Sequence, residues 1–135
     1  MTTPIKELRG ITDAMVETLK GNGIDNNEEF VEAAATPAQR KELATLLSCD
    51  AKDVLGLANR ADLARIKGVS GAYSDLLEQA GVDTVKELAT RRPDNLHAKL
   101  METNDAEQLT KRPPTASMVE DWVTQAKALP KLLTY

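Results

Sequence analysis

The sequence predicts an all-α fold. Three observations lead there: helix-capping tetrapeptides recur along the chain, no stretch alternates apolar and polar residues cleanly, and the chain resembles itself at an offset of 58 residues. β-Branched residues are scattered rather than grouped, so strands have no starting material.

The elements follow in chain order. Asn26 heads the tetrapeptide NNEE, ending at Glu29, and Thr36 heads TPAQ, with Pro37 at the first helical position and Gln39 completing a capping box. Thr84 does the same in TVKE with Glu87, and Ser117 in SMVE with Glu120. The side chain of such a residue accepts from a backbone N–H that the first helical turn leaves unpaired, so each marks a helix start. Gly23 and Gly81 stand where helices stop in the left-handed conformation, and Pro113-Pro114 breaks another helix.

The repeat organises these elements. At the offset of 58, Gly10 falls on Gly68, Ala14 on Ala72, Leu19 on Leu77, Gly23 on Gly81, Asp25 on Asp83 and Glu29 on Glu87. Ile5, Leu8, Ile11, Ile24 and Phe30 meet Leu63, Ile66, Val69, Val82 and Leu88. The echo continues more coarsely from TPAQRKELA to RPDNLHAKL and from VLGLANRADL to VEDWVTQAKAL. The expected division is residues 1–60 and 61–135, two copies of a unit with about five helical segments each. Neither copy holds enough apolar residues to stand comfortably alone, so the two are expected to pack into one globule.

Composition narrows the function. The 135-residue chain carries a formal net charge of -4, with a pI near 5.1. A chain neutralising phosphates over its whole surface is thereby excluded, and any nucleic-acid contact must be local. No apolar run approaches the roughly 20 residues needed to span a bilayer, and the first residues lack the apolar core of a signal peptide. A soluble, cytoplasmic protein with no membrane association is expected. Cys49 is the only cysteine, so no internal disulfide or cysteine cage forms. Nothing in LLSCDAKD lowers its pKa, and a small buried side chain is expected. His97 has no second imidazole or thiol at ligand spacing, and ETNDAEQ lacks the central glycine of a calcium loop. No metal and no cofactor are expected. No nucleophile elbow or phosphate-binding loop is present, so the protein is not expected to be an enzyme. The few aromatics, Phe30, Tyr73, Trp122 and Tyr135, do not suggest a stacking platform for single-stranded bases.

Ile66, Gly68-Val69-Ser70, Leu76-Leu77 and Gly81-Val82 resemble the helix-hairpin-helix family, whose pattern is an apolar residue, a Gly-apolar-Gly turn, a helix ending in paired apolar residues and a Gly-apolar step. The first copy, with Leu8, Gly10-Ile11-Thr12, Leu19 and Gly23-Ile24, matches less closely. With NRADLARIKGV and the terminal VEDWVTQAKALPKLLTY, the whole chain resembles an uncharacterised family of bacterial proteins catalogued as a domain of unknown function. The resemblance implies two pseudo-repeated helix-hairpin-helix units, related in fold to SAM domains, and a turn that meets a nucleic-acid backbone. In such a turn the N-terminus of the second helix faces a phosphate oxygen, and glycines admit the sugar-phosphate chain.

Both copies keep the first turn glycine, but Thr12 and Ser70 replace the second. A hydroxyl there caps the N–H groups a phosphate would use, and Cβ hinders approach. Gly71 restores room in the second copy. Charge ranks the copies the same way: Arg60, Asp62, Arg65 and Lys67 leave the second turn positive, whereas acidic residues surround the first. The expected nucleic-acid contacts are therefore Arg65, Lys67, Gly68, Val69, Ser70 and Gly71, with Arg9, Gly10 and Thr12 as weaker candidates. The expected ligand is double-stranded DNA, bound weakly and without sequence specificity. The competing expectation is a scaffold module without nucleic-acid binding, meeting a protein partner through its C-terminal helix and tail. Trp122 shares a helical stripe with Val119, Ala126 and Leu129, where core packing is expected. The apolar tail LPKLLTY either docks on the domain or meets another chain.

Overall fold

Backbone hydrogen bonds recur at the same offset of 58. In the computed structural model, which describes residues 2–135, Ile11 donates to the carbonyl of Leu8 and Val69 to that of Ile66. Ile24 donates to Leu19 at 2.9 Å, as Val82 does to Leu77 at 2.8 Å. The glycines that turn the chain at these places have φ of 90° at Gly10, 95° at Gly68, 81° at Gly23 and 94° at Gly81. These are left-handed values at which a side chain would be strained.

Among the described residues the chain is all-helical. A 3-10 turn over Ile5–Glu7 leads to α1 (Asp13–Gly21), α2 (Asn27–Ala33), α3 (Pro37–Leu47) and α4 (Ala51–Leu63). Then come α5 (Gly71–Gln79), α6 (Val85–Ala89), α7 (Pro93–Glu107) and α8 (Ala116–Ala128). One isolated antiparallel bridge joins Pro4 and Asn26. Among the described residues no helix is long and apolar enough to cross a membrane.

The helix starts follow local chemistry. Thr36 Oγ1 accepts from the Gln39 N–H while Gln39 Oε1 accepts from the Thr36 N–H, closing the box around Pro37. Asn26 and Thr84 accept from the N–H of Glu29 and Glu87. The start expected at Ser117 is displaced: α8 begins at Ala116 and Thr115 is its cap, accepting from the Met118 N–H at 3.1 Å. Two hydroxyl residues compete there. The earlier one wins because each residue added to a formed helix gains a hydrogen bond. Two helices end in a left-handed residue other than glycine, Ser48 after α3 and Gln108 after α7.

The chain divides into two units. The first runs to Arg65 and takes in Leu132–Tyr135. In it α4 packs against α2 and α3, over a core that includes Leu19, Phe30, Val31, Val54, Ala58 and Leu133. Leu133 is drawn into that core, and the Thr134 N–H donates to the carbonyl of Ala35 at 2.8 Å. Arg40, itself buried, donates from Nη1 to the carbonyl of Ala34 and from Nη2 to that of Thr134, and its guanidinium lies 5.7 Å from the centre of the Tyr135 ring. Asn27 is another buried polar group: its Oδ1 accepts from the Thr3 N–H and its Nδ2 donates to the carbonyl of Ala61.

The second unit is Ile66–Lys131. Here α8 packs against α6 and α7, and α5 packs against α7. Its buried side chains include Leu76, Leu77, Val82, Leu88, Leu100 and Trp122. Trp122 is thus a core residue, with the half-buried Tyr73 ring tilted against it at 5.3 Å.

Candidate nucleic-acid interface

The turn before α5 is anchored from below and exposed above. Ile66 and Val69 are buried, while Lys67, Gly68 and Ser70 between and beside them are exposed. Alternating anchors of this kind push the intervening residues outward. Gly68 is required twice over. Its φ is 95°, and a Cβ built there would come within 3.1 Å of Trp122 Nε1.

Helix α8 grips the same turn. The Lys67 N–H donates to Gln125 Oε1 at 2.8 Å, and Gln125 Nε2 donates to the Lys67 carbonyl at 3.1 Å. Gln125 Nε2 also donates to Asp121 Oδ2 at 2.8 Å. Neither Gln125 nor Asp121 was singled out by the sequence, because Gln125 stands 58 residues from Lys67 and Asp121 enters only through Gln125, four residues on.

Ser70 and Thr12 hold the same position before their helices and behave differently. Thr12, with φ -97° and ψ 161°, caps α1 by accepting from the Met15 N–H at 3.2 Å. Ser70, with φ -89° and ψ -178°, makes no side-chain cap hydrogen bond to α5. The first turn of α5, opening with Gly71, therefore keeps donors that its own cap residue leaves unoccupied. Ser74 instead serves the interior, its N–H donating to the Ser70 carbonyl and its hydroxyl to the Gly71 carbonyl.

Arg65, the last residue of the first unit, takes a different course from its expected role. Its side chain is only 6% exposed, and Nη1 donates to Asp62 Oδ1 at 2.8 Å. The guanidinium is turned into the fold, so the turn itself brings together Lys67, Gly68, Val69, Ser70 and Gly71. In the first unit Arg9, Gly10 and Thr12 are exposed, with Gly10 facing Leu57 at a distance that leaves room for a Cβ.

Other charged groups lie elsewhere on the second unit. Lys131 is close enough to Lys86 that hydrogen bonding and charge from that second ammonium hold its pKa below the ordinary lysine range. A shallow groove is lined by Arg92, Asp94, His97 and Glu120. The Asn95 N–H, and then the Arg92 guanidinium, hold the Asp94 carboxyl below the usual carboxylate range. His97 Nε2 meets the Pro114 carbonyl at 3.1 Å, which assigns its proton to that nitrogen. Among the described residues no three His, Cys, Asp or Glu side chains gather as a metal site.

A family model described as "Domain of unknown function (DUF4332)" matches residues 9–129. No curated protein and no solved structure matches the chain.

Proposed function

The chain belongs to the DUF4332 family, and from that premise we propose that it is a non-catalytic helix-hairpin-helix module, binding a nucleic-acid backbone weakly and without sequence specificity through the Lys67–Gly71 turn. The observation that carries this reading is the contrast at the two cap positions: Thr12 occupies a donor of α1, whereas Ser70 leaves α5 uncapped. A phosphate oxygen is the natural acceptor for such a helix start, because the unpaired N–H groups and the positive dipole end coincide there. Gly68 and Ser70 are exposed at the turn, and the exposed Lys67 supplies the charge. Arg65 has no part in the contact, since its charge is already answered by Asp62.

A weak interaction is consistent with one free lysine at the turn and a net charge of -4. The competing reading is a protein-interaction module that keeps the hairpins as a packing solution. The Thr12 cap on α1 and the acidic balance favour it, while the apolar tail does not, being already seated on the first unit.

The test is fluorescence anisotropy of a labelled DNA duplex at about 50 and 200 mM salt, with a Lys67→Glu variant alongside. Binding that weakens with salt by about 0.9 log units per log unit for each phosphate neutralised, and that disappears in the variant, is expected. Absence of binding at the lower salt would reject the nucleic-acid reading in favour of a protein partner.

A further inference from the structure

We propose that Gln125 is the positioning residue of the Lys67–Gly71 turn, deciding which of its groups face a phosphate, and that Asp121 beside it restrains the strength of the contact. The inference rests on the reading of that turn as a phosphate site.

A glutamine amide has one acceptor oxygen and two donor hydrogens. Here Oε1 takes the Lys67 N–H, one Nε2 hydrogen meets the Lys67 carbonyl and the other meets Asp121 Oδ2. A flipped amide would set NH2 against N–H and oxygen against both a carbonyl and a carboxylate. Only one orientation satisfies all the partners, so the side chain is a fixed clamp. Both backbone polar groups of Lys67 are consumed by it. What remains for a ligand is the Lys67 ammonium, together with the donors of the uncapped α5 start.

Trp122, three residues earlier on α8, closes the other side of the turn against Gly68. The loop is therefore held before any ligand arrives, and a preorganised loop loses less entropy on binding than one that must be ordered. Asp121 enters through the same clamp. Its carboxylate shares the Gln125 Nε2 group with the Lys67 carbonyl, which brings a negative charge to the edge of the proposed site. Like charge opposes phosphate, and salt screens the opposition. The two residues therefore act with opposite sign on one contact.

The experiment measures duplex affinity by anisotropy at about 50 and 200 mM salt for the full chain and for Gln125→Ala, Gln125→Glu and Asp121→Asn. Gln125→Ala is expected to weaken binding about tenfold, as loss of a pair of hydrogen bonds does. Gln125→Glu is expected to do likewise, since a carboxylate cannot donate to the Lys67 carbonyl. Asp121→Asn keeps an oxygen for Gln125 and removes the charge, so it is expected to strengthen binding about threefold at low salt, with the gain shrinking at high salt. Amide exchange read by NMR in the same variants is expected to show the Lys67 N–H unprotected in Gln125→Ala, still protected in Gln125→Glu, whose carboxylate keeps an acceptor for it, and unaltered by Asp121→Asn. A role in stability alone would leave Asp121→Asn without a salt-dependent gain, and that result overturns the inference. Wild-type binding with unchanged affinity in both Gln125 variants also overturns it and leaves the phosphate reading standing. Wild-type failure to bind rejects both together. Should Gln125→Ala not fold, Gln125→Glu and Asp121→Asn still decide.

Discussion

Arg65 Nη1 donates to Asp62 Oδ1 at 2.8 Å, and the two side chains are 6% and 4% exposed. A paired charge this far from water survives because each partner answers the other. Removing one takes this ion pair from the second in a poor solvent, and breaking a buried pair costs about 3–5 kcal/mol. Asp62→Ala is therefore expected to lower stability by about that much in urea denaturation, and Arg65→Glu, which sets two carboxylates together, to do at least as much damage. A loss below about 1 kcal/mol for Asp62→Ala would mean that the pair behaves as a surface pair. Binding tests consequently use Lys67, whose side chain is exposed.

The two turn hydroxyls are expected to differ in worth. Thr12→Ala removes the cap bond to Met15 and should cost about 1 kcal/mol, whereas Ser70→Ala removes no cap bond and should cost only a few tenths. Thermal or chemical denaturation of the two variants compares them directly. Equal losses would contradict the contrast on which the proposed binding turn depends.

The segment Leu132–Tyr135 is expected to be integral to the first unit. Leu133→Ala empties a buried site and should cost about 2–5 kcal/mol. Arg40→Lys should also destabilise, since one ammonium cannot reproduce the planar fork that reaches the carbonyls of Ala34 and Thr134. Denaturation midpoints of both variants test this, and a neutral Leu133→Ala would show the segment to be dispensable.

Cys49 should react slowly with thiol reagents in the folded protein. Burial first, and then the charges of Asp53 and Asp50, raise its pKa above the ordinary thiol value, so less thiolate is present at a given pH. The sign for stability follows: the folded state prefers the protonated thiol, and this preference turns against folding as pH rises beyond the unfolded thiol's pKa. Alkylation at about pH 8 is expected to be slower than for a free thiol and to accelerate in denaturant. A rate equal to that of an unfolded reference would contradict it.

Most helix starts were legible because capping is local. Thr36, Asn26 and Thr84 each satisfy a donor three residues on, and no distant group need intervene. Where two adequate caps lie close together, as at Thr115 and Ser117, composition alone does not choose between them. The turn glycines were legible for the same reason, since φ near 90° at Gly10 and Gly68 is a demand of the backbone itself. The inward turn of Arg65 was not. An aspartate three residues before an arginine reads equally well as a solvated pair, and only tertiary burial distinguishes them. Asn27, polar in a first helical turn, likewise reads as surface but ties Thr3 to Ala61.

By itself the sequence determined the helical class, most of the punctuation between helices and the position of the Gly68 turn. These depend on short-range sterics and hydrogen bonding, which neighbouring residues settle among themselves. Only the tertiary structure decided which charges near that turn remain in solvent, that Gln125 and Trp122 hold it from α8, and that Leu132–Tyr135 returns to the first unit. Those outcomes depend on burial and on partners tens of residues away, where a side chain's identity fixes what it can bond but not what it meets.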